Sequence, residues 1–392
     1  MTILPPLRLA GATALVGGEL TRRPLALAGG RMAADIDGLP EVDLTGFMIL
    51  PGIVDIHSTS LPRHLCPRPG ARLPLDLALS AMDAEAVAHG VTTQWIAQGW
   101  SWAGGRLGPD QAEAMADALE RYDGRANLRL QILAETHLAD CRERLLRLIE
   151  GHGVDSVIFA NALPDAIVAA ARASHKLTAW AEAEDIAIED YIERLRAAKD
   201  REAEVPRRLL ALAKAFDKLG VTYGSYDDAD GETREQFRMM GARLALCPVR
   251  AGAARVARAN GDPIVLDASE LTRGGIRPGA VSAQALLSKG LCDALASRDH
   301  PASLAAAAFA LIDSGQRSLS DAWAMISDTP ARIMGVFDRG DLSHGQRADL
   351  VVIDPVTRRI EATLVAGRIA HLTGGAALRF LDAAPRFALA AE

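Results

Sequence analysis

Leu50–Pro51–Gly52–Ile53–Val54–Asp55–Ile56–His57 decides the fold. An apolar run turns at Pro51–Gly52, becomes a short β-rich segment and ends in a histidine. A strand of this kind delivers its last side chain to the mouth of a (β/α)8 barrel, where that histidine is a candidate metal ligand. Alternation returns the residue two positions on to the same face. Here that residue is Thr59, within His57–Ser58–Thr59–Ser60, and a neutral hydroxyl is a poor zinc ligand.

Working outward, strand-like and helix-like segments alternate. Strands are expected near 47–57, 91–97, 128–135, 156–161, 220–226, 243–248, 263–268 and 292–297. Amphipathic stretches at 78–89, 110–122, 138–151, 231–240 and 280–289 lie between them. Eight strands separated by helix-length segments suit a parallel barrel, because parallel neighbours need crossover connections. An open doubly wound sheet would carry a glycine-rich phosphate loop after its first strand, and none follows His57. Glycine-broken strands recur at both ends, at 7–15, 25–28 and 31–37, then at 348–354, 360–365 and 368–372. They suggest one sheet assembled from the two termini. The expected organisation is an α/β chain: a (β/α)8 TIM barrel over 51–339, with a small β-sandwich built from 1–50 and 340–380. Residues 163–219 form an oversized connection with a charged helical pattern broken at Val205–Pro206. It is a helical excursion at the top or side of the barrel, either a lid, a subunit contact or a solvated helical pair. The Ala-rich tail near 383–391 is expected to be loosely ordered.

With 392 residues the chain has room for one large barrel and a minor domain. A formal net charge of −7 gives no electrostatic case for nucleic acid, although a local basic pocket for an anion remains open. Met1–Thr2–Ile3–Leu4–Pro5–Pro6 lacks the features of a signal peptide, and no apolar run is long enough to cross a bilayer. Cys66, Cys141, Cys247 and Cys292 are scattered singly, as free thiols in a reducing compartment would be. A cytoplasmic location is the expectation.

Several segments together resemble one branch of the amidohydrolase superfamily, the phosphonate-metabolism diphosphatases that cleave α-D-ribose 1-methylphosphonate 5-triphosphate. They are residues 50–57, Cys66–Pro67–Arg68–Pro69, His89–Gly90–Val91–Thr92–Thr93, Ser225–Tyr226–Asp227–Asp228, Thr272–Arg273–Gly274–Gly275 and Pro301–Ala302–Ser303–Leu304. Asp328–Thr329–Pro330–Ala331–Arg332 and Gly345–Gln346–Arg347–Ala348–Asp349–Leu350 are shared across the superfamily. The resemblance implies one or two divalent metals, commonly zinc, held by His-x-Asp-Asn on strand one, a later Glu and middle-strand histidines. It also implies an Asp on the last strand to take the proton of metal-bound water.

His57 matches the first ligand and Glu135 the bridging Glu, with His137 either a third ligand or a loop histidine. Thr59 and Ser60 replace the Asp and Asn. Asn161–Ala162–Leu163–Pro164–Asp165 stands where Asp-His-(Ser/Thr)-Pro-Gly belongs, and Tyr226 stands where a histidine belongs. The last strand reads Ser297–Arg298–Asp299–His300–Pro301 against Ser-Asp-(Tyr)-Tyr-Pro. If Pro301 fixes the register, Arg298 takes the acidic position and Asp299 and His300 replace the aromatics. A slip of one residue instead makes Asp299 the catalytic carboxylate. Arg68, Arg273, Arg277, Tyr226, Asp227, Arg298 and His300 are candidates for holding a phosphorylated or carboxylated small molecule. Of the remaining histidines, His64 is the one expected near the mouth.

Three readings follow. One is a hydrolase with a reduced site of one zinc or none. Another is a catalytically silent relative that binds an anionic metabolite or partner. The third is the branch's own diphosphatase reaction. A homodimer is expected by analogy alone.

Overall fold

The computed structural model describes residues 2–34, 38–68, 70–138, 142–172, 174–273 and 279–389. Eight parallel strands run in chain order: β1 (Ile53–Ser58), β2 (Val91–Trp100), β3 (Asn127–Glu135), β4 (Ser156–Ala160), β5 (Thr222–Tyr226), β6 (Ala245–Leu246), β7 (Ile264–Asp267) and β8 (Ala294–Ala296). Each pairs with the next in sequence. The ring closes just beyond β8, where the Arg298 N–H donates to the His57 carbonyl at 3.1 Å and the Thr59 N–H donates to the Arg298 carbonyl at 2.6 Å. A strand covered on both faces reads as a continuous apolar run, and every residue of β1 is buried. Val54, Ile56, Trp95, Ile158 and Val265 meet inside the ring, which is a packed core rather than a pore.

Two expected strands turn out to be two elements each, divided at glycine. The segment 47–57 breaks at Gly52, where a Cβ would lie 2.4 Å from the Thr92 hydroxyl. Before the break, Met48–Pro51 pairs antiparallel with Leu350–Ile353; after it, β1 enters the barrel. The segment 7–15 breaks at Gly11, which has φ +79°. Leu7–Ala10 joins a four-stranded sheet made entirely of N-terminal residues. Thr13–Val16 joins a six-stranded sheet with Glu19–Thr21, Met48–Pro51, Leu350–Ile353, Ile360–Val365 and Arg368–Leu372. The termini therefore build the two sheets of the expected β-sandwich, and the six-stranded one is assembled from both ends of the chain. Leu7, Leu9, Ile49, Leu350 and Leu364 share one core between them.

The tail departs from expectation over 383–389, while 390–391 lie outside the described residues. Residues Gly374–Leu389 form a helix that buries Ala376, Phe380 and Ala383 against the terminal sheets, because alanine propensity and an apolar stripe favour helix over disorder. The expected helix over 280–289 contracts to Ala283–Leu287, capped by the Ser282 hydroxyl.

The excursion is four helices: Leu163–Arg172, Ser174–Ala183, Ile188–Asp200 and Val205–Leu219. Pro206 opens the last of them, in the first turn where its missing N–H costs nothing. Leu163, Leu177, Tyr191 and Leu195 pack on Trp102 and Ala103, beyond the carboxyl end of β2. The bundle thus covers the rim at β2–β4. Among the described residues, no helix is long and apolar enough to cross a membrane.

Candidate functional site

His57 ends β1 with no exposed surface. Its Nδ1 lies 2.6 Å from Oε1 of Gln131, on the inward face of β3. The Gln131 amide nitrogen is committed to the Ile56 carbonyl and the Ser156 hydroxyl, so its oxygen must accept and His57 Nδ1 must carry the proton. That leaves Nε2 with a lone pair, buried and without a hydrogen-bond partner. Burial lowers the imidazole pKa to about 4, and the Arg298 charge adds to the effect against the Gln131 hydrogen bond. His57 is therefore neutral near pH 7, in the tautomer that presents Nε2.

Arg298 is the residue that closes the ring, and its side chain faces the site. Its guanidinium lies 5.8 Å from the centre of the Tyr226 ring, whose own centre is 5.4 Å from that of His57. Arg298 Nη1 is 3.4 Å from Oδ2 of Asp267, a buried carboxylate at the end of β7. The charge of Asp227 also acts on Arg298. Among the two registers, it is Arg298 rather than Asp299 that stands opposite Ser58 and turns inward. Asp299 and His300 are exposed, and Asp299 offers its backbone carbonyl to Arg63 at 3.0 Å.

Three residues that directly follow or nearly follow a barrel strand, Asp227, Cys247 and Arg298, have φ of 58°, 53° and 53°. Non-glycine residues in the left-handed region cost of order 1–3 kcal/mol each and gather where a site demands them. All three are at the carboxyl rim of β5, β6 and β8. Beneath them, Asp55 is fully buried and accepts from the Ser297 hydroxyl (2.6 Å), the Ser297 N–H (3.0 Å) and Gln94 (2.9 Å), which ties β8 to β1 and β2. Burial raises its pKa against those hydrogen bonds.

Glu135 sits higher. Gln131, Leu133 and Glu135 share the inward face of β3, so Glu135 is about 13 Å along the strand from the residue that holds His57. Both carboxylate oxygens accept from the Ala162 N–H, at 3.0 and 3.2 Å. Burial under the excursion pushes its pKa up to about 8, opposed by that N–H and by the nearby Trp102 indole. His137 turns elsewhere. It is buried with Nδ1 3.0 Å from the Thr136 hydroxyl and lines a separate cavity against the helix at 205–219.

The structure thus brings together His57, Tyr226, Asp227 and Arg298, and adds Asp267. Among the described residues, His57, Glu135 and His137 do not form a group whose ligand atoms all lie within 4.8 Å of one another. Arg68 is exposed and Arg273 is more than half exposed, 3.9 Å from Asp267. Gly274, Gly275 and Arg277 lie outside the described residues. His64 bonds Glu85 at 2.9 Å on the outer side of the rim. Among the described residues, the one group of three His, Cys, Asp or Glu ligand atoms within 4.8 Å of one another is Asp117, Glu120 and His152, on outer helices.

Asp267 and Gln131 were not anticipated. An acid closing the apolar run Ile264–Val265–Leu266 carries the same signal that singled out Glu135, and a glutamine inside the apolar strand at 128–135 is the kind of buried polar group that demands a partner.

No family model matches the chain. It is 30% identical over 326 residues to the α-D-ribose 1-methylphosphonate 5-triphosphate diphosphatase of Escherichia coli (strain K12), spanning 80% of this chain and 85% of that protein. Among solved structures it superposes on the dihydropyrimidinase of Brevibacillus agri NCHU1002 with a TM-score of 0.65, at 13% identity, over 95% of this chain and 97% of that one. The N-acetyl-D-glucosamine-6-phosphate deacetylase of Mycobacterium smegmatis gives 0.60 at 16% identity, over 93% and 99%. These structural likenesses speak for the fold. A barrel with a two-sheet companion from both termini, together with the sequence relationship, makes this a member of the amidohydrolase superfamily. Within it, the chain belongs to the family of α-D-ribose 1-methylphosphonate 5-triphosphate diphosphatases.

Proposed function

We propose that the barrel mouth binds a small phosphorylated metabolite against the guanidinium of Arg298, a fixed cation standing where this family would be expected to assemble a metal set. The single observation that carries this reading is the inward Arg298, ringed by Tyr226, Asp267 and the neutral His57. A forked guanidinium is suited to phosphate oxygens.

The donor set does not fit zinc. Thr59 and Tyr226 replace two of the ligands, Glu135 bonds the Ala162 backbone, and the positive charge of Arg298, which acts on His57, opposes a divalent cation there. In this reading Gln131 fixes the His57 tautomer, Nε2 accepts a hydrogen bond from the ligand, and Asp267 holds Arg298 until phosphate oxygens take its place. A second reading rests on the buried, unpartnered Nε2, which is the atom a metal would seek: a hydrolase keeping one weak zinc at His57.

One experiment separates them. Protein purified without chelator is analysed for metal, and its thermal midpoint is followed with inorganic phosphate and with pyrophosphate. The proposal expects substoichiometric zinc and a rise in midpoint that Arg298→Met abolishes. One equivalent of zinc that is lost in His57→Ala, with pyrophosphate released from the ribose triphosphate, would overturn it in favour of the hydrolase.

A further inference from the structure

Behind the ends of β3 and β4 lies a second cavity of about 580 Å³, the size of a small-molecule site. Its floor is apolar: Leu209 on the helix at 205–219 and Phe237 on the helix Gly231–Met239 are buried there, while Leu210 and Met239 expose 44% and 74% of their surface at its edge. Among the described residues, no lysine or arginine lines it. The acid that lines it among the described residues is Glu202, in the short turn that leads into the helix at 205–219. Among the described residues Glu202 has neither an ion pair nor a side-chain hydrogen bond, and the one titratable side chain its charge acts on is the neighbouring His137, which lines the same cavity.

An apolar slot with an unpaired carboxylate at its edge and no cationic side chain rejects anions and favours one kind of guest. We propose that this cavity is a second ligand site, selective for a small organic cation with a hydrocarbon body: the ammonium against Glu202, the body against Leu209, Phe237 and Met239. Its charge preference is opposite to that of the barrel mouth, so the proposal stands whether or not Arg298 holds a phosphate. Methionine and phenylalanine are fit for the role, because a thioether adapts to the guest's shape and an aromatic face tolerates a cation. The site also touches the mouth through the backbone. Thr136 and His137 directly follow Glu135, and Asn161 precedes the Ala162 whose N–H holds the Glu135 carboxylate.

The test is a calorimetric titration of the full chain with three probes of one shape: benzylamine, benzyl alcohol and benzoate. The expected result is binding of benzylamine about two- to fivefold tighter than the alcohol, with benzoate weakest, the margin that one partly exposed charge pair supplies. Glu202→Gln, at an exposed and unpaired position, should leave the melting curve unchanged and erase the amine's advantage. Leu210→Trp, which fills the edge of the cavity, should abolish binding of all three. Equal affinity for the three probes, no binding of any, or an amine preference that survives Glu202→Gln would overturn the proposal.

Discussion

His57 makes the protein sensitive to mild acid, and the size of the effect follows from its burial. The imidazole titrates near 6.5 when the chain is unfolded and near 4 when folded. Between those values the unfolded state binds the proton and the folded state does not, so stability falls as pH drops through this window and is recovered as pH rises. The full difference is about 3.4 kcal/mol, from 1.36 kcal/mol for each tenfold change. Between pH 7 and pH 5, His57 alone should remove about 2 kcal/mol. Urea unfolding of the wild type and of His57→Gln at both values isolates it, since the carboxylates that titrate in both proteins cancel in the double difference. The variant, although less stable at pH 7, should lose about 2 kcal/mol less on acidification. An equal loss in the two proteins would mean that His57 is neither buried nor neutral, and the tautomer derived from Gln131 would fall with it.

Gln131→Leu leaves the His57 Nδ1 proton, the Ile56 carbonyl and the Ser156 hydroxyl short of a partner, and should cost about 1–3 kcal/mol for each buried group that stays unsatisfied, read by urea unfolding at pH 7. Glu135 behaves in the opposite sense to His57. Its folded pKa of about 8 lies above its ordinary value of 4.5, so its contribution to stability is intact below pH 4.5 and is lost as pH rises towards 8. Glu135→Gln should therefore raise the thermal midpoint more at pH 8.5 than at pH 5.5; an equal change at both would refute the burial. Thr59→Asp with Tyr226→His should gain little zinc affinity while Arg298 is present, and substantially more once Arg298→Asp is added, as measured by competition with a chromogenic chelator.

What was legible depended on how far a signal survives without its neighbours. His57 could be read because it ends an apolar run, and the barrel because eight such runs recur between helices. Asp267 carried the same kind of signal in a shorter strand. The choice between Arg298 and Asp299 could not be read, because inward and outward faces exchange with one residue of register and the left-handed backbone at Arg298 has no glycine to announce it. Glu135 and His137, two apart, share a face only while the strand continues. β3 ends at Glu135, and the next two residues turn away into another cavity. The breaks at Gly11 and Gly52 were visible as glycines, but which sheet each half would join depends on its pairing partners, and for Met48–Pro51 one of those is some 300 residues away.

That last dependence governs how the chain comes off the ribosome. Met48–Pro51 lies between Thr13–Val16 and Leu350–Ile353. At about 5–20 residues per second, its outer neighbour is synthesised roughly 15–60 s later. For that interval the nascent N-terminal sheet has a bare, apolar edge, able to pair with any strand that passes. A message truncated before residue 350 would leave that edge permanently open, and its product should accumulate in inclusion bodies rather than as a free barrel.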